Sequence, residues 1–263
     1  MRRTIAAIVA AGIVVLIVAC GSAPAGSQPA ASAPTSPSAA VSADASGPTS
    51  PGASGGSSLD PDSGAALDAF RAFVQTGPPF RMRADMLLTI GSETLDMEIT
   101  EDVAGGDAAG TIDIRAAGVS LRIEVVVIDG AGYARIAHRE WQAIPADAGD
   151  ANPMASLDVE GLLPVGRANV AGTLTHQLHT EDLSVFDTST ITGTALADLR
   201  VDDLAFDVYV TDDGVPLTAV MEFSGSGLVE GERQPVKATV RYDFSRFGEP
   251  VAIEAPDLPS PSP

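Results

Sequence analysis

The feature that most constrains this chain is an alternation of period two that runs, broken only at turns and in the middle, from Phe80 to Phe244. In FRMRADMLLTI, Phe80, Met82, Ala84, Met86, Leu88 and Ile90 share one side, and Arg81, Arg83, Asp85 and Thr89 take the other. Leu95, Met97 and Ile99 then alternate with Asp96, Glu98 and Thr100, and Ile112 and Ile114 with Asp113 and Arg115. Val119, Leu121, Ile123, Val125 and Val127 do the same against Ser120, Arg122 and Glu124. Successive side chains of a strand point to opposite faces, so each run predicts a strand with one apolar and one wet face, the signature of an antiparallel meander.

The C-terminal half repeats the pattern, with apolar sets Leu204, Phe206, Val208 and Val210, then Leu217, Ala219, Met221 and Phe223, then Val236, Ala238, Val240, Tyr242 and Phe244. Gly91-Ser92, Gly105-Gly106, Asp129-Gly130 and Asp213-Gly214 fall between runs, where tight hairpins need positive backbone angles. One stretch has helical spacing: Asp60-Pro61 supplies a cap and a first-turn proline, Leu67, Phe70, Phe73 and Val74 recur at three and four, and Gly77-Pro78-Pro79 stops the helix. Two further short helices are expected, within Asn152 to Val165 and Thr194 to Arg200. The expected class is therefore α+β, mainly antiparallel β, with about eight to ten strands and three helical pieces. Such a sheet closes on itself, packs as a filled sandwich, or curls around a hollow. The periodicity leaves these alternatives open.

The N-terminus carries a different signal. Arg2 and Arg3 precede an apolar run from Ile5 to Val18, Ala19 offers a small-residue exit, and Cys20 follows as the single cysteine of the chain. This is the layout of a secretory signal peptide over residues 1–19, with a run of about 16 residues that is short for a membrane span of roughly 20. Ile17-Val18-Ala19-Cys20 resembles the lipobox of bacterial lipoproteins, which implies a diacylglyceryl thioether on Cys20 as the mature N-terminus. An ordinary signal peptide with an incidental cysteine is the alternative. Two acyl chains hold a protein at a membrane where one does so only marginally. The expectation is attachment to the extracytoplasmic face of the cell membrane, with no thiol left for catalysis or metal.

Residues 20–58 are almost wholly Ala, Pro, Ser, Gly and Thr, with Asp44 the one charge, and read as a disordered tether. Gly52-Ala53-Ser54-Gly55-Gly56 matches a nucleophile elbow in letters only, because that motif works on a strand-to-helix turn. Residues 59–257 read as one domain, and 258–263 as a frayed tail. Cleavage before Cys20 takes the 15 basic residues to 13 against 35 acidic ones, a net charge of −22. A surface of that sign repels phosphate backbones and anionic headgroups, so nucleic acid is not an expected partner.

Enzymatic signals are few. His176-Gln177-Leu178-His179 has metal-like spacing, yet residues three apart on a strand face opposite ways; only a helical segment would bring the pair together. His138 beside Arg139 and Glu140 reads as a solvated loop residue, and Asp202-Asp203 and Asp212-Asp213 as turn formers flanking strands, where weak calcium binding is the alternative. No P-loop, dinucleotide fingerprint or CxxC is present. The expectation is a non-enzyme with no cofactor and no metal.

Four stretches carry a family resemblance. VRYDFSRFGEPVAIEAP at the end, EDVAGGDAAGTIDI at 101–114, and Tyr133 with Trp141 in DGAGYARI and REWQAIP resemble the LppX/LprG-type lipoproteins, as does the hairpin DDLAFDVYVTDDGVPLTAVMEF. Phe244-Ser245-Arg246-Phe247-Gly248 matches that family's Phe-Ser-x-Phe-Gly element, which runs into a short terminal strand. The resemblance implies a fold similar to the LolA/LolB carriers: a curved half-barrel sheet with a few helices covering an apolar cavity for lipid acyl chains. The lining residues it implies are Met82, Met86, Leu88, Leu121, Ile123, Val125, Phe206, Val208, Met221 and Phe223. It further implies a monomer that carries or presents lipid or lipoglycan within the envelope and works with an exporter. The alternative is an interaction or stress-sensor module of the same fold without lipid cargo. Residues 146–200 match the family least.

Overall fold

The computed structural model describes residues 61–144, 157–182, 197–229 and 231–258. The signal peptide, Cys20, the tether with its Gly52–Gly56 motif, and the tail beyond Leu258 lie outside these residues.

Strands β1 (Phe80–Ile90), β2 (Glu93–Ala104), β3 (Asp107–Ala116), β4 (Val119–Ile128), β5 (Ala131–Ile136) and β6 (Gln142–Ile144) form one meander. Strands β7 (Leu163–Val170), β8 (Thr173–Thr180), β9 (Ala197–Val210), β10 (Pro216–Val229) and β11 (Glu232–Ser245) form a second. Antiparallel pairing of β1 with β11 joins the two into a single sheet of order β6-β5-β4-β3-β2-β1-β11-β10-β9-β8-β7. Because β6 and β7 occupy opposite edges, the sheet is an open, curved half-barrel rather than a closed one. The expected α+β class with a mainly antiparallel, curved sheet is the observed one.

The hairpins follow the turn chemistry. Asp129 and Gly130 have φ of 51° and 73°, both positive as a type I′ turn requires. Ala117-Gly118 and Ala171-Gly172 make the same kind of turn without the Asn or Asp that usually marks it.

Helix α1 (Pro61–Thr76) is the expected one. Proline is tolerated in its first turn, and Gly77, at φ 56°, ends it by donating to the carbonyl of Phe73. Its apolar side places Ala66, Leu67 and Phe70 in the core, with Phe73 and Val74 at the margin. Phe247 lies edge-on to Phe73 at 5.1 Å and 6.0 Å from Phe80, while the Gly248 amide donates to Pro79. The Phe-Ser-x-Phe-Gly element thus locks the end of β11 to the start of β1. No terminal strand follows it among the described residues.

Of the two further expected helices, the first is a single 3₁₀ turn and the second is strand where the structure describes it. In the 152–165 segment a 3₁₀ turn at Val159–Gly161 leads directly into β7 at Leu163, and Ala197 to Arg200 opens β9. Local propensity there yields to pairing with β8 and β10, which supplies the ladder bonds a buried backbone needs. Asp202 and Asp203, expected at a turn, instead lie inside β9, where the register against β10 slips between Ser224–Asp203 and Gly225–Val201. A bulge accommodates the extra residue and keeps both carboxylates exposed. Asp212 and Asp213 do occupy the β9–β10 turn.

Candidate functional site

Register across the sheet shows which side chains share a face. One row reads Phe244, Met82, Glu101, Gly110, Val125 and Ala134 across β11, β1, β2, β3, β4 and β5. The row beside it is Phe80, Val103, Ala108 and Val127, and on the other side lie Ala84, Ile99, Ile112 and Ile123. In these rows, across β1 to β5, the face is apolar except at Glu101.

The opposite face is laced with cross-strand ion pairs: Arg81 with Asp102, Arg122 with Asp113, Arg135 with Glu124, and Arg241 with Asp243 along β11. The Arg135 hydrogen bond holds the Glu124 carboxyl below its ordinary value against some burial. At Asp243 burial pushes upward, but hydrogen bonds from Arg241 and Thr218 outweigh it and leave the carboxyl lowered. Arg135 also lies over the Trp141 ring at 4.7 Å. Exposed pairs of this kind add little stability each, but they fix which face meets water.

The apolar face is covered unevenly. Helix α1 and Leu157, Val159 and Leu162 of the β6–β7 connection pack over the β7–β11 end, in one cluster with Phe80, Met82, Phe206, Val208, Met221 and Phe223. A smaller cluster of Met97, Ile114, Ile123 and Ala134 sits on β2 to β5. Of the ten expected lining residues, Met82, Ile123, Phe206, Val208, Met221 and Phe223 are buried within these clusters. Met86, Leu88, Leu121 and Val125 are half-buried on β1 and β4, Met86 and Leu88 packing against the larger cluster and Met86, Leu121 and Val125 against the smaller. The structure thus puts all ten on one side of the sheet and divides them into packed and partly open groups.

Glu101 was not anticipated, although its parity was visible: Leu95, Met97, Ile99, Glu101 and Val103 are successive members of the same apolar series. It stands between Met82 and Gly110, half-buried, and among the described residues no hydrogen bond or ion pair reaches it. Burial, with a smaller push from the Asp102 charge, raises its carboxyl to about 7. Gly110 explains how the strands approach here, because a Cβ at that position would lie 2.4 Å from the Thr100 carbonyl oxygen and 3.0 Å from the Glu101 Cα.

A second polar group was also unforeseen. His176 is buried, with Nδ1 3.1 Å from the Ser63 hydroxyl and Nε2 2.8 Å from the Asp212 carboxylate. The carboxylate needs a donor, so the proton belongs on Nε2 and the serine donates to Nδ1. The residue types are those of a hydrolase triad, but Ser63 is 1% exposed in the first turn of α1, where no substrate carbonyl reaches it. The chain Ser63–His176–Asp212 ties the helix to β8 and to the β9–β10 turn. His179 faces the other way, with Nδ1 2.9 Å from Asp207, as the strand reading of the His176–His179 pair requires. Among the described residues no group of three or more His, Cys, Asp or Glu forms a metal cluster, and no helix is long and apolar enough to cross a membrane. His138 is a solvated turn residue 3.9 Å from Glu124.

The chain matches no protein-family model and no curated protein sequence. Among solved structures it is similar to LprF from Mycobacterium bovis, at 13% identity over 75% of this chain and 98% of that one, with a TM-score of 0.45. It is also similar to a putative outer membrane lipoprotein-sorting protein domain from Vibrio parahaemolyticus, at 9% identity over 72% and 95% of the two chains, with a TM-score of 0.27. A third likeness is to the MucA/MucB complex of Pseudomonas aeruginosa, at 13% identity over 66% and 93%, with a TM-score of 0.26.

Chemically, the face offers partly open aliphatic and methionine side chains with one carboxyl among them. That arrangement suits an apolar chain more than a polar substrate.

Proposed function

We propose that this protein is an envelope lipoprotein that holds lipid acyl chains against the apolar face of its half-barrel and carries or presents lipid at the membrane where Cys20 anchors it. The observation that carries the reading is the uneven cover: α1 closes the β7–β11 end, while Met86, Leu88, Leu121 and Val125 stay half-buried on β1 and β4. Each methylene moved from water onto such a surface contributes about 0.8 kcal/mol, so an acyl chain is held by length alone and no covalent step is needed. The Met-containing lining adapts to chains of different shape. The charge of the mature chain keeps it from lying on anionic headgroups, so attachment comes from the lipid on Cys20 and reach comes from the segment that follows it.

Native mass spectrometry with organic extraction tests this. The whole mature chain with Cys20→Ala, secreted behind a cleavable signal in a lipid-rich host, should carry a stoichiometric lipid. Val125→Trp, which fills a half-buried position on β4, should lose it. A lipid-free mass in repeated preparations, with no uptake of added lipid, overturns the reading in favour of an interaction or sensor module.

A further inference from the structure

In a chain with 35 acidic residues, Gly161 to Thr180 contains none, the longest such run between residues 59 and 258. That run is the β7–β8 hairpin, at one edge of the sheet. It also holds three large apolar side chains that the fold leaves outside: Leu163 at 65% exposure, Leu174 at 55% and Val165 at 45%. Its one arginine, Arg167, lies 3.2 Å from Asp62. Of the bordering acids, Asp62 and Asp212 are engaged with Arg167 and His176, while Asp158, Glu160, Glu181, Asp182 and Asp213 lie outside the hairpin.

The three apolar side chains do not share a face. Leu163 is paired with His179, which faces away from the helix, whereas Leu174 has the parity of His176, which faces Ser63 on it. Val165 is the extra residue of a bulge between Pro164 and Gly166. A protein laid on either face of the sheet covers one leucine and leaves the other wet. Addition of a strand to the edge is opposed by Pro164, which has no amide to donate, and by the bulge, which breaks the ladder. A fluid apolar layer has neither limitation, because it closes around both sides of an edge. Charge selects the same occupant: headgroup phosphates repel the acidic surface elsewhere, and repel this hairpin least. The covalent connection agrees. Residues 20–60 run from the proposed anchor to Pro61, and the first turn of α1 is bonded to the hairpin through Asp62–Arg167 and Ser63–His176. The anchor therefore draws the β7–β8 edge, rather than the β6 edge, toward the bilayer.

Resting on the membrane attachment proposed above, and not on the acyl cargo, we propose that the β7–β8 hairpin is a docking edge for the surface of a neutral lipid bilayer, entered by Leu163, Val165 and Leu174 from its two sides. A side chain with about half of its surface still to bury contributes about fivefold to such contact, and three give about a hundredfold. That is too little to recruit a free protein, since even a single acyl chain holds one only marginally, but it orients a protein already held at the membrane.

Cys20 is the single cysteine, so the mature chain couples through it to a maleimide-bearing lipid in phosphatidylcholine vesicles, which reproduces the attachment whether or not a host acylates it. Trp141 is the single tryptophan, so Trp141→Phe clears the background for one reporter. Leu174→Trp reports the hairpin, and Leu87→Trp, at an exposed position on β1 in the middle of the sheet, is the control. With brominated phosphatidylcholine in the vesicles, the Leu174→Trp chain should be strongly quenched and the Leu87→Trp chain hardly at all. Adding Leu163→Ser and Val165→Ser should lower the docked-to-undocked ratio about 25-fold and abolish the difference. Positions 87, 163, 165 and 174 are exposed, so these changes leave the core intact. Equal quenching at the two reporters, stronger quenching of the Leu87→Trp chain, or quenching of the Leu174→Trp chain that survives both serines would each overturn the docking edge. A dimer of the Cys20→Ala chain in sedimentation velocity that the same serines disperse would overturn it in favour of a contact between copies. A monomeric chain with no quenching at either reporter would overturn it in favour of a partner protein. None of these results alters the lipid extracted from the mature chain in the native mass measurement, so the cargo reading stands or falls separately.

Discussion

Replacing Gly214 with alanine should destabilise the domain far more than the same change at Gly130, although both glycines sit in turns at nearly the same φ, 75° and 73°. The strain of an L-residue in the left-handed region is common to both and costs about 1 kcal/mol. The surroundings differ. A Cβ at Gly130 would have nothing within 4 Å, whereas at Gly214 it would lie 2.3 Å from the carbonyl carbon of Ala69 and 2.3 Å from the amide nitrogen of Phe70. Those are backbone atoms of α1, so no rotamer change relieves the overlap, and the turn and helix must part by about 1 Å to reach ordinary contact. A gap of that size forfeits a quarter to a half of the dispersion contacts around Phe70, which is 0% exposed, and loosens the Asp212–His176 bond on the same turn. Together these give about 3 kcal/mol for Gly214→Ala against about 1 kcal/mol for Gly130→Ala. In a domain of this size that separates the melting temperatures by roughly 4–8 °C. Urea unfolding followed by far-ultraviolet circular dichroism measures both variants. Equal losses at the two positions would refute the close approach of turn and helix as a determinant of stability.

Two further predictions concern the polar groups of the interior. Glu101 has its carboxyl raised from an ordinary 4.5 to about 7, so between those values the native state binds a proton that the unfolded chain has lost. Its contribution is whole below pH 4.5 and is lost as pH rises through about 7, at about 1.4 kcal/mol per pH unit and at most about 3 kcal/mol, less where water reaches the carboxyl. Glu101→Gln should therefore gain stability over the parent chain at pH 8 and little at pH 4, in urea midpoints without ligand; a difference independent of pH would contradict this. Ser63→Ala should cost about 1–3 kcal/mol, because the Nδ1 acceptor of buried His176 loses its donor. A fluorophosphonate probe should leave the folded protein unlabelled, and stoichiometric labelling of Ser63 would show a reachable nucleophile.

The sequence by itself determined each strand's two faces, because alternation against water is a property of one short segment and needs no knowledge of its neighbours. It also marked α1 from Pro61 to Gly77 and most hairpin turns, through proline, glycine and the spacing of Leu67, Phe70 and Phe73. It even placed Glu101 among apolar residues by parity. Tertiary structure alone decided the rest. Pairing of β1 with β11 puts the start and end of the domain side by side at the centre of the sheet and leaves β6 and β7 at its edges. No local pattern encodes that choice, since strands of similar polarity are interchangeable until the whole apolar face is buried together. Pairing with β10 drew Ala197 to Arg200 into β9 against a helical local signal, and β7 emerged from a segment whose Pro164 and Gly166 obscure its alternation. Ser63, His176 and Asp212 meet only because α1 lies on β8 beside the β9–β10 turn, across 113 and 36 residues of chain. What Glu101 lacks is likewise a fact of the fold: its environment is set by Met82 and Gly110 on the neighbouring strands, and desolvation acts on whatever surrounds a charge in space.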